Sequence, residues 1–573
     1  MELRQLDLGI FAVYMIAVIG LGLYAAKRGK KTKRDYFLAG DKLPWWMIGG
    51  SIMAANLSSH HFVGVMGTAY SRGFVAMTIE WGAILVGFNA LLWIFLPFYL
   101  RNGFYTVPEF LQRRFGGAAR GAFAALTLLI YVFIEIAGVL YLGALAVNAL
   151  VPGMTVMWAI IIIAAATGLY TIAGGLRAVV WTELMQLVVL FGGGIILSIA
   201  TFWAAGGMNA VIESQREWEI LLPYTDPHFP WTMYLGSTLS ISIFYCAANQ
   251  FIVQRALAAK NEWHARMGVV FTQILKFLTP LIIIIPALLG RQLVPDLERP
   301  DQIFAILVNK LLPVGLVGLI MAGLIAAVMS TISGALNSFT TIATIDFFLP
   351  FMRWRQGRRT GAVVVAARDT PAEAVVGDPP KDAADPKPVL EYHSAVEDQR
   401  RRADSEGATD ATAVFFGRVV GIVALIVGVF ATYLFAQADR PFFLTLLSGY
   451  GYFTPGITTM FLLGILWRRT THAAALTVAV LTIPLSLTLE YMFPGLPFHN
   501  RTGIVFWTCM LVCVVVSLLT RPKPAAELEG LIWNRASWRL PADERRKRPL
   551  LQRPGFWWAL VTAATLFFYI WYA

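Results

Sequence analysis

Apolar runs of about 20 residues recur along the whole of this 573-residue chain, each long enough to cross a bilayer. Inside lipid every backbone polar group must be paired within its own segment, which makes such runs helices. Only 14% of the residues are charged and 57% are hydrophobic, whereas a water-soluble domain carries nearer a quarter charged. The runs therefore predict an all-α polytopic membrane protein with about fourteen spans. A formal charge of +12 could suggest nucleic acid, but its placement argues otherwise. Lys and Arg gather in alternate loops, such as residues 27–31 (KRGKK), 101–120 and 255–266, which is the positive-inside pattern. It predicts a multi-pass protein of the plasma (inner) membrane, both termini outside, touching lipid headgroups and no nucleic acid.

Cys246, Cys509 and Cys513 lie in apolar spans, with neither disulfide nor metal-ligand spacing. Residues 6–26 exceed a signal-peptide core and lack a cleavage site, so the segment reads as a first span. Residues 353–410 are rich in Ala, Asp, Arg and Pro and read as a disordered cytoplasmic insertion, a solvated linker. Arg545, Arg546, Lys547 and Arg548 precede the last span as a topology and lipid anchor.

One span cannot be an ordinary membrane helix. Residues 49–64 (GGSIMAANLSSHHFVG) place three serines and two histidines at a depth where lipid offers no hydrogen bonds. Irregular backbone is tolerated there only inside protein or beside a wet cavity. A helix broken at residues 56–59 frees carbonyls for a cation and presents Asn56, Ser58, His60 and His61 to a polar solute. Discontinuous helices build transporter sites this way. A small-residue packing face is the structural alternative.

Ionisable residues within apolar spans are few: Glu80, Glu135, Glu183 and Lys276. Such groups are expensive in a membrane and face cavities or one another. Glu80 and Lys276 can pair, either as part of a solute site or only to hold the bundle. In residues 323–346 the hydroxyls of Ser330, Thr331, Ser333, Ser338, Thr340, Thr341 and Thr344 crowd one helix. Back-bonding to carbonyls accounts for several. The adjacent Ser330 and Thr331, with carbonyls from a broken helix, would instead make a neutral oxygen cage. A hard monovalent cation suits it better than a divalent one, which needs carboxylates.

These residues carry a resemblance. Residues 35–40 (DYFLAG), 54–58 (AANLS), 105–110 (YTVPEF), 170–176 (YTIAGGL), 249–255 (NQFIVQR) and 337–346 are similar to the sodium/solute symporter family. The sodium/sugar cotransporter branch is the nearest part of it. The resemblance implies a LeuT-like fold, with two inverted five-helix repeats over residues 43–205 and 231–467. Residues 1–42 would add an N-terminal helix and basic loop, and residues 473–573 the C-terminal helices.

The implied sodium site comprises the carbonyls of Ala54, Leu57 and Ala327 and the hydroxyls of Ser330 and Thr331. Glu183 stands where some members carry an Asp beside a second sodium. Glu80, Trp81, Tyr245 and Lys276 match solute-contacting or gating positions of the sugar branch, and His61 matches a His/Gln position. Ser242 joins this set. Two positions depart from the pattern: Leu447 replaces a Gln, and Glu135 replaces an Asn. The implied function is sodium-coupled symport of a sugar or polyol by alternating access, not an enzyme reaction. Proton coupling through His60, His61 or Glu135, a non-sugar solute, and a non-transporting sugar sensor stand as alternatives.

Overall fold

A computed structural model describes residues 5–28, 32–58, 60–150, 153–214, 218–360, 410–434, 442–541, 544 and 548–572. Of the insertion read at residues 353–410, residues 353–360 instead continue the helix Leu349–Thr360 and residue 410 is also helical; residues 361–409, Ser59 and residues 545–547 lie outside the described residues. The described residues are helical, with two isolated bridges, Leu43 with Ala259 and Leu222 with Pro230, as the extended pairings. Nine of their helices are long and apolar enough to cross a membrane, ten if a pair bent by 43° (Glu262–Phe277 and Thr279–Leu293) counts as one span.

Two of these helices are too long for a single crossing. The segment Val156–Ala204 has 49 residues, about 74 Å of helix against roughly 30 Å of hydrocarbon. It bends at Gly175, where φ is +57° and ψ −153°. A Cβ on Gly175 would come within 2.3 Å of the Tyr36 carbonyl, so neither the conformation nor the space admits a side chain. The segment His61–Arg101 is likewise interrupted at Gly73, with φ +83°. A count of fourteen spans depends on dividing both segments and on counting broken helices as crossings.

The helix bearing Ser330, Leu316–Ile342, is the most buried, 89% of its apolar window lying inside the protein. Its start is fixed from outside. Asp7 of the first helix, Gln5–Lys27, accepts the N–H groups of Gly315 (2.7 Å) and Gly318 (2.8 Å). A carboxylate there satisfies orphan donors and complements the helix dipole. Along the same helix Ser333, Thr340 and Thr341 donate to carbonyls three or four residues back, the back-bonding expected of buried hydroxyls.

The helix Trp45–Asn56 packs directly on Glu262–Phe277. A Cβ on Gly49 would meet the Gly268 carbonyl at 2.5 Å, and one on Gly268 would meet Ile48 at 2.6 Å. Two facing glycines thus let these backbones touch, as small residues do between membrane helices.

Candidate functional site

Two helices break at matching places. Trp45–Asn56 ends at Leu57 (φ −88°, ψ 102°), and the helical run through Ser237–Ile243 and Phe244–Ala248 ends at Asn249 (φ −88°, ψ 120°). The first break falls where the residue pattern predicts one. The second was missed, although its signal is present: Ala54-Ala55-Asn56 recurs as Ala247-Ala248-Asn249.

The first break redirects hydrogen bonds. In a continuous helix the Ala54 carbonyl would accept the Ser58 N–H. That N–H instead donates to Nδ1 of His61, 3.2 Å, and the Ala54 carbonyl accepts the Ser330 hydroxyl at 2.9 Å. The same hydroxyl reaches the Ala327 carbonyl at 3.0 Å, and Thr331 reaches it at 3.2 Å. Leu57 is the residue at which the helix opens. Its neighbours Ala54, Ala327, Ser330 and Thr331 thus form a buried cluster of neutral oxygens. That donor chemistry fits sodium, and among the described residues no group of three His, Cys, Asp or Glu could hold a metal ion.

Beside this cluster lies a cavity of about 150 Å³. Asn56, Ser58, His60, His61, Glu80, Glu135, Ser242, Tyr245 and Lys276 all line it, and so does Thr331. Lys276 donates to Glu80 and to the amide oxygen of Asn56. With Nδ1 occupied as an acceptor, His61 carries its proton on Nε2 and donates to the other Glu80 oxygen at 3.1 Å. The Ser58 hydroxyl bonds His60 Nδ1, and the two imidazoles lie 4.0 Å apart. Glu80 and Lys276 thus cancel each other's charge, with Asn56 and His61 saturating the pair; a buried ion pair needs such support against desolvation.

On another wall Tyr450 donates its hydroxyl to Glu135. Among the described residues Glu135 has no ion-pair partner, so it brings the wall's uncompensated formal charge. Tyr450 and Cys246 are lining residues that sequence reasoning missed. Tyr450 follows Leu447 by three residues in the sequence, so a helical reading from Leu447 reaches it.

Two sequence candidates sit elsewhere. Trp81 is not among the lining residues; its indole stacks on Phe277 with centroids 5.5 Å apart and packs near Phe74, Phe568 and Tyr569. Glu183 is buried against Arg255, which donates to both carboxylate oxygens. Ser51 donates to one of them as well. The Glu183 charge is therefore already balanced by a guanidinium and is not left over for a second sodium.

The sodium:solute symporter family profile matches residues 36–367, more than half of the chain. The chain belongs to the sodium:solute symporter family. This symporter is 29% identical to the sodium/glucose cotransporter of Vibrio parahaemolyticus, over 90% of its own length and 91% of the relative's. It is 30% identical to the human sodium/myo-inositol cotransporter, over 91% of its own length and 74% of the relative's. Among solved structures, a substrate-bound, outward-open sodium-coupled sialic acid symporter superposes with a TM-score of 0.74 at 21% identity. That match covers 91% of this chain and 99% of the other. A nucleobase-cation-symport-1 family transporter superposes with a TM-score of 0.50 at 15% identity, over 86% and 97%. Both carry the LeuT-like fold that the resemblance implies. The symporter is a transporter and not an enzyme, and sodium is its coupling ion.

Proposed function

We propose that this symporter carries a sugar or cyclic polyol into the cell together with sodium, through the cavity between its two broken helices. The observation that supports this most is the adjacency of two sites. Thr331 belongs to the oxygen cluster and also lines the cavity, and Asn56 ends the helix whose Ala54 carbonyl meets Ser330. The relatives transport glucose and myo-inositol by name, and hydroxylated rings suit a wall of amide, imidazole, hydroxyl and carboxylate groups.

Alternating access follows from that adjacency. Sodium held by Ala54, Leu57, Ala327, Ser330 and Thr331 ties the broken helix to Leu316–Ile342 and thereby sets Asn56 and Ser58 for the solute. Each ligand favours the same arrangement, which is the thermodynamic content of coupling. Tyr245, four residues before the second break, covers the solute on the side of the basic loops. Rocking the repeat at residues 43–205 against that at 231–467 opens the inner path. The basic loops face the cytoplasm and both termini lie outside. Glu183 serves as the counter-ion of Arg255, and the cage near Ser330 is the sodium site.

Uptake into proteoliposomes of labelled glucose, galactose and myo-inositol under inward sodium, potassium or proton gradients tests this reading. Sodium-driven accumulation of one of them is expected. Glu135, held among the described residues by the Tyr450 hydroxyl and by no cation, gives a second reading, proton coupling. A component of accumulation that a proton gradient drives would establish proton coupling beside sodium.

A further inference from the structure

A second cavity, of about 460 Å³, shares no lining residue with the solute cavity and is lined by Trp45, Trp263, Met267, Phe271, Ile274, Leu551, Gln552 and Trp557. It lies between the helices Trp45–Asn56, Glu262–Phe277 and Pro554–Trp571. Two indole N–H groups are already used: Trp263 donates to the Gln552 carbonyl at 2.7 Å and Trp557 to the Leu551 carbonyl at 2.8 Å. These bonds hold residues 550–552 as a lip and leave ring carbons facing the groove. A groove walled mainly by indole, phenyl and aliphatic carbon takes hydrocarbon.

The rim has the opposite character. Arg548 stacks its guanidinium 3.7 Å above the Trp263 ring, and its Nε is buried without a hydrogen-bond partner. His264 accepts the Trp45 N–H on Nδ1 at 3.2 Å and so carries its proton on Nε2. Lys260 and Arg548 lie close enough to act on His264 electrostatically, and Lys260 is exposed. The nearby Glu544 accepts the Trp263 backbone N–H at 3.1 Å, while Glu262 is held by Arg101 and Arg266. The rim therefore keeps an excess of cationic donors, and a buried donor left unpaired calls for a ligand or water.

We propose that this groove is a binding site for an anionic phospholipid. One acyl chain would seat among Trp45, Phe271, Ile274 and Trp557, and the phosphate would engage Arg548, Lys260 and His264. Basic pockets between spans on the face of the basic loops bind such headgroups, and tryptophans gather at that depth. The bound lipid braces the last helix against the Gly49–Gly268 contact, and hence against the broken helix itself. It acts across the two repeats, and its groove shares no lining residue with the solute cavity.

The test uses the purified full chain and counts bound lipid by native mass spectrometry during titration with dioleoyl phosphatidylglycerol, the phosphatidylcholine of the same chains, or soluble glycerol phosphate. Phosphatidylglycerol is expected to bind at least about fivefold tighter than phosphatidylcholine, with glycerol phosphate a poor competitor. The double substitution Lys260→Gln, Arg548→Gln should abolish that preference. Ile274→Trp, which fills the groove, should weaken both lipids while the charged rim is intact. Unchanged lipid binding in either variant overturns the site. Equal competition by glycerol phosphate also overturns it, replacing the lipid with a soluble phosphate. Loss of sugar transport bears on the solute reading alone, because lipid is counted without it.

Discussion

The Ser330 hydroxyl lies 2.9 Å from the Ala54 carbonyl, joining two helices across 276 residues of the symporter's sequence. No continuous helix could offer that carbonyl, because its own Ser58 donor would hold it. The contact thus depends on the break at Leu57, and the break depends on a His61 ring that takes the Ser58 N–H.

Removing the hydroxyl tests what the contact does. Ser330→Ala takes one oxygen from the cage, where a net hydrogen bond is worth about 1 kcal/mol and a bond to a charge about 1.5–3. The sodium concentration for half-maximal uptake is expected to rise about tenfold, at unchanged protein per vesicle. Thr331→Ser keeps its oxygen and should stay within about threefold of the parent. Sodium titration of uptake in proteoliposomes decides both; a normal sodium dependence in Ser330→Ala would remove Ser330 from the site.

The Glu80–Lys276 pair predicts a different outcome. Lys276→Met leaves a carboxylate buried without its cation, a loss of about 3–5 kcal/mol. Thermal unfolding in detergent should show it, with little protein reaching the membrane. The double variant Glu80→Gln, Lys276→Met removes both charges and should recover much of the stability while solute uptake stays lost. A double-mutant cycle on the unfolding midpoint measures the pair. If the double variant transports normally, the pair serves only the bundle.

The division between legible and hidden features follows the range of the forces involved. Spans, basic loops and the break near Asn56 are local: a run of apolar residues or an Asn-Leu-Ser-Ser step states its constraint within a dozen residues. The meeting of Ser330 with Ala54, and of Lys276 with Glu80, was legible because charges and adjacent hydroxyls are rare enough in lipid to need partners. Arg255 was not singled out, since an arginine near a loop reads as topology; only packing brings it to Glu183. Trp81 misled for a related reason. Its neighbour Glu80 faces the cavity, but consecutive helical residues diverge by about 100°, and the indole turns into the Phe277 and Phe568 cluster. Tyr450 escaped notice because a tyrosine in an apolar helix announces nothing until a carboxylate faces it.

That carboxylate predicts solute selectivity. Glu135→Gln keeps the shape, removes the charge and adds two donors, so a solute hydroxyl that donated to Glu135 meets a weaker acceptor. A change of about 1–3 kcal/mol, roughly five- to 150-fold in the solute's apparent affinity, is expected. The half-saturating sodium concentration should hold. Tyr450→Phe should shift the same solutes by less, since it frees the carboxylate instead of removing it. Competition assays across a panel of epimers and deoxy sugars read the effect; parallel shifts for every solute would mean that Glu135 reads no hydroxyl.

Glu183 separates structure from stoichiometry. If it binds a second sodium, Glu183→Gln should flatten the sodium dependence of uptake in a stable protein. Its contacts point the other way. Both oxygens are engaged by Arg255, and Ser51 donates to one of them, so the substitution leaves a guanidinium buried with half its acceptors. The expected result is a loss of about 3–5 kcal/mol in stability, with the number of sodium ions per solute unchanged in whatever protein folds. Pairing it with Arg255→Met should restore part of that stability, because two neutral groups replace an unmatched charge. The sodium-to-solute ratio, taken from reversal potentials in proteoliposomes, is the measurement that decides. A ratio that falls in Glu183→Gln while the unfolding midpoint stays fixed would return the carboxylate to the ion path and leave Arg255 as its gate.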